Sequence, residues 1–156
     1  MKYPIGIQDF EKIIEDGYVY VDKTELVYKL ANEGHIYFLS RPRRFGKSLL
    51  ISTLKYYFQG RKDLFRGLAI DKLETKWAEY PVFHLSFGSA NFTKHGTLDE
   101  VIDNYLADFE NDYPTNTKPR DFGIRFASIL KAAHKKTGRR AVVLIDEYDK
   151  PLLDVI

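Results

Sequence analysis

RPRRFGKS at residues 41–48 and VVLIDEYD at residues 142–149 decide how this chain is read. In a phosphate-binding loop, backbone N–H groups wrap phosphate oxygens, a Lys reaches the outer phosphates, and the next Ser or Thr hydroxyl holds Mg²⁺. Gly46, Lys47 and Ser48 fill those places, and Arg43, Arg44, Phe45 and Leu49 flank them in the same candidate nucleotide site. The consensus has an earlier Gly where this chain carries Arg41. Arg41, Arg43 and Arg44 either form a solvated surface or add positive charge that partly offsets that loss.

The second stretch ends an apolar run on two adjacent acids. Such a pair permits a division of labour, with Asp146 on the metal side, usually through water, and Glu147 polarising an attacking water as general base. Beside a nucleotide's negative charges neither acid is favoured without Mg²⁺. Together the two stretches read as Walker A and Walker B elements of one Mg-nucleotide site split across a sheet. Lys47 and Glu147 are then the catalytic candidates, and Ser48 and Asp146 the candidate metal ligands.

Outward from these stretches, short apolar runs alternate with amphipathic ones, the habit of α/β proteins. Residues 35–39 read as a buried strand leading into the loop, and 49–58 as the helix after it, stopped by Gly60. Upstream, Asp22 and Glu25 suggest a capping box for a helix reaching Asn32 and ended by Gly34. Residues 61–80 suggest short helical pieces, 82–87 a strand and 88–96 a polar loop. Thr97 and Glu100 suggest a second capping box, opening a helix with Leu98, Val101, Ile102, Tyr105, Leu106 and Phe109 on one face. After the turn-rich stretch 111–120, Asp121 caps a helix to about Lys136, ended by Gly138. Residues 141–145 are the most apolar strand candidate.

Three strands with helical connections imply parallel pairing and ligands beyond the strands' carboxyl ends. The expected fold is an α/β, P-loop NTPase-like three-layer sandwich with a mainly parallel sheet. It forms one domain over 1–156, with 1–34 as lead-in and 35–156 as core.

Composition narrows the partners. The 24 Lys and Arg against 22 Asp and Glu leave a net charge of +2, too small for the whole chain to attract nucleic acid. At 156 residues and 44% hydrophobic, the chain can bury one ordinary core, and 29% charged residues supply its surface. The absence of Cys excludes disulfides and thiolate metal sites and fits a cytoplasmic address. No apolar run approaches the ~20 residues of a membrane helix, and the N-terminus lacks a signal-peptide stretch, so neither insertion nor export is expected. His35, His84, His95 and His134 are too dispersed for a transition-metal site. Ser40, Ser86 and Ser89 lack the surroundings of a hydrolase nucleophile.

YVDKTELV at 20–27, LSRPRRFGKSLLISTLKYYF at 39–58, LFRGLAI at 64–70 and VVLIDEYDKPLL at 142–153 together resemble the bacterial AAA-ATPase-like family. In that family the loop itself reads RPRRFGKS, so Arg41 is a family habit. The resemblance implies ATP as ligand and Mg²⁺ as cofactor. It makes Lys47 the phosphate lysine, Ser48 a Mg²⁺ ligand, Asp146 the metal-side acid and Glu147 the catalytic acid/base. Asp22, Lys23 and Thr24 match a family segment to which no role is assigned.

The resemblance also implies features beyond Ile156. These are a sensor strand between the loop strand and the acidic strand, a later basic residue, and a C-terminal nuclease-like domain of PD-(D/E)XK type that would bring nucleic acid as a partner. With the sensor slot unfilled, the flanking strands pair directly, the chain self-associates, or it is marginally stable. ATP binding is thus expected of these residues, and hydrolysis only of a longer protein, regulating the attached domain. A different reading is a nucleic-acid-associated module in which nucleotide is a switch or dispensable. Arg41, Arg43, Arg44, Arg139 and Arg140 support it, with Tyr56, Tyr57 and Phe58 as aromatics that otherwise serve the core. A third is an interaction scaffold that retains the site.

Overall fold

Buried polar side chains tie together the short helices of the N-terminal half. A computed structural model describes residues 1–156 apart from His35, Arg41, Arg43, Arg44, 116–120 and Ile156. It divides into two compact units, Met1–Glu79 and Tyr80–Ile156.

In the first unit, Asp9 caps α1 (Phe10–Glu15) by accepting from the Lys12 N–H at 3.0 Å. Its other oxygen accepts from Ser52 Oγ at 3.3 Å and from the Tyr56 hydroxyl at 3.1 Å. Ser52 Oγ in turn accepts from the Phe10 N–H at 2.8 Å, so a buried helix start is satisfied by α3 (Lys47–Phe58). Around this network Phe10, Val27, Tyr57, Leu64, Phe65 and Ile70 form the core.

α2 (Thr24–Glu33) ends at Gly34 as expected, but it does not open with a capping box. Lys23 holds the cap position and Glu25 pairs instead with Lys29 at 3.0 Å. Asp22, although exposed, accepts from Thr24 N at 2.9 Å, Thr24 Oγ1 at 2.7 Å and Ala69 N at 2.7 Å. Fully buried Thr24 accepts from Ile70 N at 3.0 Å. These bonds fasten α2 to the 3₁₀ turn Ala69–Lys72, giving Asp22 and Thr24 a structural role. Burial pushes the Asp22 carboxyl up, but the hydrogen bonds from Thr24 and Ala69 outweigh it and hold the group below the usual aspartate range.

The strand expected over 35–39 is corrected. His35 lies outside the described residues, and 36–39 are irregular, with Ile36 94% and Phe38 73% exposed. An apolar run becomes a strand only where a partner takes its backbone groups, and among the described residues the sheet contains no such strand. The helix after the loop does form, starting at Lys47 rather than Leu49.

In the second unit, β1 (Val82–Ser86) and β2 (Val142–Asp146) pair in parallel, with Val82 beside Val142 and Ser86 beside Asp146. A parallel pair needs a long crossover, supplied by α4 (Thr97–Asp112) and α5 (Phe122–Thr137). Phe83, Leu106, Ile129 and Ala133 form the core between them, with Phe109 edge-on to Phe83 at 4.9 Å. α5 starts on an Asp121 cap and ends on left-handed Gly138, as its sequence indicates. α4 does not use the expected box: Gly96 holds its cap position and Thr97 lies in its first turn. Arg125 and Glu110 clamp the two helices through a buried two-bond pair at 2.8 and 2.9 Å. Among the described residues the sheet is thus two-stranded and parallel, an α/β arrangement smaller than the expected three strands.

Thr24→Val preserves shape but strips the acceptor from the buried Ile70 N–H. It should lower unfolding free energy by about 1–3 kcal/mol in urea titrations; a loss below about 0.5 kcal/mol would remove the fastening role. The Asp22 contribution should be intact above the usual aspartate range and fade as pH falls through and below it.

Candidate functional site

The loop half is built at the start of α3. Gly46 holds the N-cap position with φ 74°, a left-handed backbone that favours glycine, and no side chain caps the helix. A twelve-residue helix opening this way directs N–H donors and the positive end of its dipole at whatever precedes it. The Lys47 amine reaches back across the loop and donates to the Pro42 carbonyl at 3.3 Å. Ser48 sits half-buried in the first turn, Leu49 packs onto the core of the first unit, and Phe45 is 64% exposed. Arg43 and Arg44, expected in the same site, lie outside the described residues, as does Arg41. The arrangement is one that fits phosphate oxygens: a left-handed glycine, an uncapped helix start and an ammonium group.

The acidic half is built at the carboxyl ends of β1 and β2. Asp146 is 8% exposed; its Oδ1 accepts from the Glu147 N–H at 3.0 Å. Its carbonyl accepts from Phe87 N at 3.2 Å, carrying the ladder one residue past β1. Tyr105 of α4 locks the outer edge of β1, accepting from Ser86 N at 3.0 Å and donating to Ser86 O at 2.8 Å. Beyond the ladder, Glu147 adopts φ 53°, one of two non-glycine residues with positive φ among those described. Its carbonyl accepts from Lys150 N at 3.0 Å, which turns the chain into α6 (Lys150–Leu153).

The Glu147 carboxylate lies where a side chain on residue 88 would be. A Cβ on Gly88 would overlap a carboxylate oxygen and come within 2.7 Å of Cδ. Gly88 was not among the candidates; the only hint in the sequence is a Gly just past an apolar strand. The twisted backbone at Glu147 carries no sequence signal at all. Lys150 bonds Asp154 at 2.8 and 2.7 Å, and Asp154 also accepts from Phe92 N at 3.1 Å, so Lys150 serves structure.

Among the described residues no three of His, Asp or Glu gather as a ready metal cage. A hard cation such as Mg²⁺ commonly binds one or two protein oxygens and fills its octahedron with water and phosphate, a demand that one strand-end carboxylate can meet. Among the described residues, no helix is long and apolar enough to cross a membrane.

Residues 4–156 match the family model described as "Predicted AAA-ATPase". A curated protein of Azotobacter chroococcum mcd 1, described as an uncharacterized protein in the vnfD 5′ region, is 44% identical over 154 residues. The match covers 98% of this chain and 30% of that protein, so the chain spans under a third of its relative. No solved structure matches.

A glycine has no penalty in the backbone that Glu147 occupies. Glu147→Gly should therefore raise unfolding free energy by about 1 kcal/mol in urea titrations. A fall of that size would show that the turn is held by the Glu147 side chain instead.

Proposed function

Because the chain belongs to the predicted AAA-ATPase family, we propose that it binds ATP with Mg²⁺ through the loop before α3. The observation that carries this reading is the left-handed Gly46 at an uncapped helix start, with the Lys47 amine folded back over the loop. Lys47 and the amides of residues 46–49 take the phosphates, with Arg43, Arg44 and Phe45 flanking them. Ser48, and Asp146 through water, would hold Mg²⁺, which when bound would neutralise phosphate charge. Glu147 orients the attacking water and takes its proton as the water oxygen bonds the terminal phosphorus; the bond to the β-phosphate oxygen breaks, and ADP and phosphate leave.

The reading needs the loop and the acids to serve one nucleotide, as parts of one P-loop ATPase-like region over 1–156. Hydrolysis is assigned to the whole protein, of which the relative's extra length is the guide. That whole protein would act in the cytoplasm of a bacterium, with an attached nuclease-like domain regulated by the ATPase cycle.

Calorimetric titration with Mg-ATP tests the binding step. Wild type should bind, and Lys47→Ala should lose at least tenfold in affinity; equal affinities would remove the loop from the account. In the whole protein, Glu147→Gln should cut turnover by about 10²–10⁴-fold while ATP binding persists. Unchanged turnover would reject Glu147 as the base.

A further inference from the structure

The cations of this chain are unevenly spread. Lys131, Lys135, Lys136, Arg139 and Arg140 fall within ten residues, and no Asp or Glu occurs between Asp121 and Asp146. A net charge of +2 for the whole chain therefore conceals a stretch with five positive charges and a balance of the opposite sign elsewhere. All five are exposed at the end of α5 and in the turn before β2.

A helix C-terminus welcomes cations for its own stability, but that preference fades beyond the last turn. Lys131 lies before that turn, and Arg139 and Arg140 lie past the Gly138 cap. Among the described residues none of the five is in an ion pair. Lys136 donates to the backbone carbonyl of Asp112 at 2.9 Å, at the border of the patch. Lys131 and Arg140 line an open cleft with Leu130, His134 and Ala141.

We infer that this basic end of α5 is a docking surface for the phosphate backbone of double-stranded DNA, separate from the nucleotide site and independent of it. The patch lies at the amino end of β2. The acids lie at the carboxyl end, roughly 15 Å away along a five-residue strand. Single strands are gripped by stacking bases on open aromatic rings. Here the neighbouring rings are covered, Tyr80 by the Arg139 guanidinium at 5.3 Å and Tyr113 by the Lys136 amine at 5.3 Å. Residues 131–140 offer no carboxylate or carboxamide to accept from a ribose 2′-hydroxyl, and Thr137 Oγ1 donates to the Ala133 carbonyl at 2.8 Å. What remains is charge, spaced on a rigid helix end, which suits a duplex backbone without sequence reading.

The test is binding of a labelled 30-base-pair DNA duplex to the 156-residue chain without ATP, across 50–200 mM salt. Five phosphate contacts predict a log–log salt slope of about −4.5, or about a 500-fold loss of affinity over that range. The exposed triple variant Lys131→Gln/Lys135→Gln/Arg140→Gln should keep the wild-type urea midpoint and reduce the slope to about −1.8. No duplex binding at 50 mM salt, or an unchanged slope in the folded variant, would overturn the inference. So would tenfold tighter binding, at equal salt, to duplex RNA, poly-glutamate or anionic phospholipid vesicles. Lys47→Ala should leave the DNA slope unchanged, which separates failure here from failure of the nucleotide reading.

Discussion

The parallel ladder that sets Ser86 beside Asp146 governs the whole acidic half of the candidate site. Parallel pairing forbids a tight hairpin, so the chain must leave β1, travel through α4 and α5, and return to start β2 at the same end. That detour is stabilised by the buried Phe83 and by the Arg125–Glu110 clamp between the crossover helices. With the register set, one further bond from Phe87 N to the Asp146 carbonyl brings both strands to a common end. Asp146 is then nearly buried, Glu147 is the first residue free of the ladder, and its twisted backbone lays the carboxylate over Gly88. Glu147 is thus held in a left-handed backbone at the strand end, a conformation that persists only where its surroundings demand it.

The first unit solves a different problem. Its helices are short and need polar anchors, and Asp9 and Asp22 supply them from the residues just before α1 and α2. Asp9 ties α1 to Ser52 and Tyr56 in the middle of α3, the same helix whose first residue is Lys47. The later turns of α3 thus carry the anchor to α1, and no side chain caps its start. An uncapped start leaves donors for an anion; α4 also opens uncapped on a left-handed glycine, and α3 differs in the Lys47 amine laid back towards the Pro42 carbonyl.

Helical periodicity and end signals were legible in the sequence wherever packing agreed with them. The packing of Ile102, Leu106 and Phe109 of α4, the Asp121 and Gly138 ends of α5, and the strands expected at 82–87 and 141–145 and found at 82–86 and 142–146 follow from local chemistry and pattern, whereas Leu98 stays exposed. The misses share a cause. Asp22, Glu25, Thr97 and Glu100 fit a capping template, but Asp22 reaches the Ala69 N–H, Glu25 pairs with Lys29, and Gly96 takes the cap position of α4 without a side-chain bond. The run at 36–39 has strand composition, yet strand formation depends on a neighbour that a one-dimensional pattern cannot supply. At the site, the residue types of the loop and the acid pair were readable. The Pro42 carbonyl, the role of Gly88 and the φ of Glu147 were not, because they arise from the way the backbone folds.

We propose Mg-nucleotide binding by residues 46–49, with Asp146 and Glu147 responding to the metal. Amide ¹H–¹⁵N spectra of the chain, titrated with ATP first in chelator and then in excess Mg²⁺, address it residue by residue. Shifts are expected at Gly46, Lys47, Ser48 and Leu49 in both conditions, and at Asp146 and Glu147 only when Mg²⁺ is present. Shifts confined to other residues, or an Asp146 response indifferent to Mg²⁺, would contradict it.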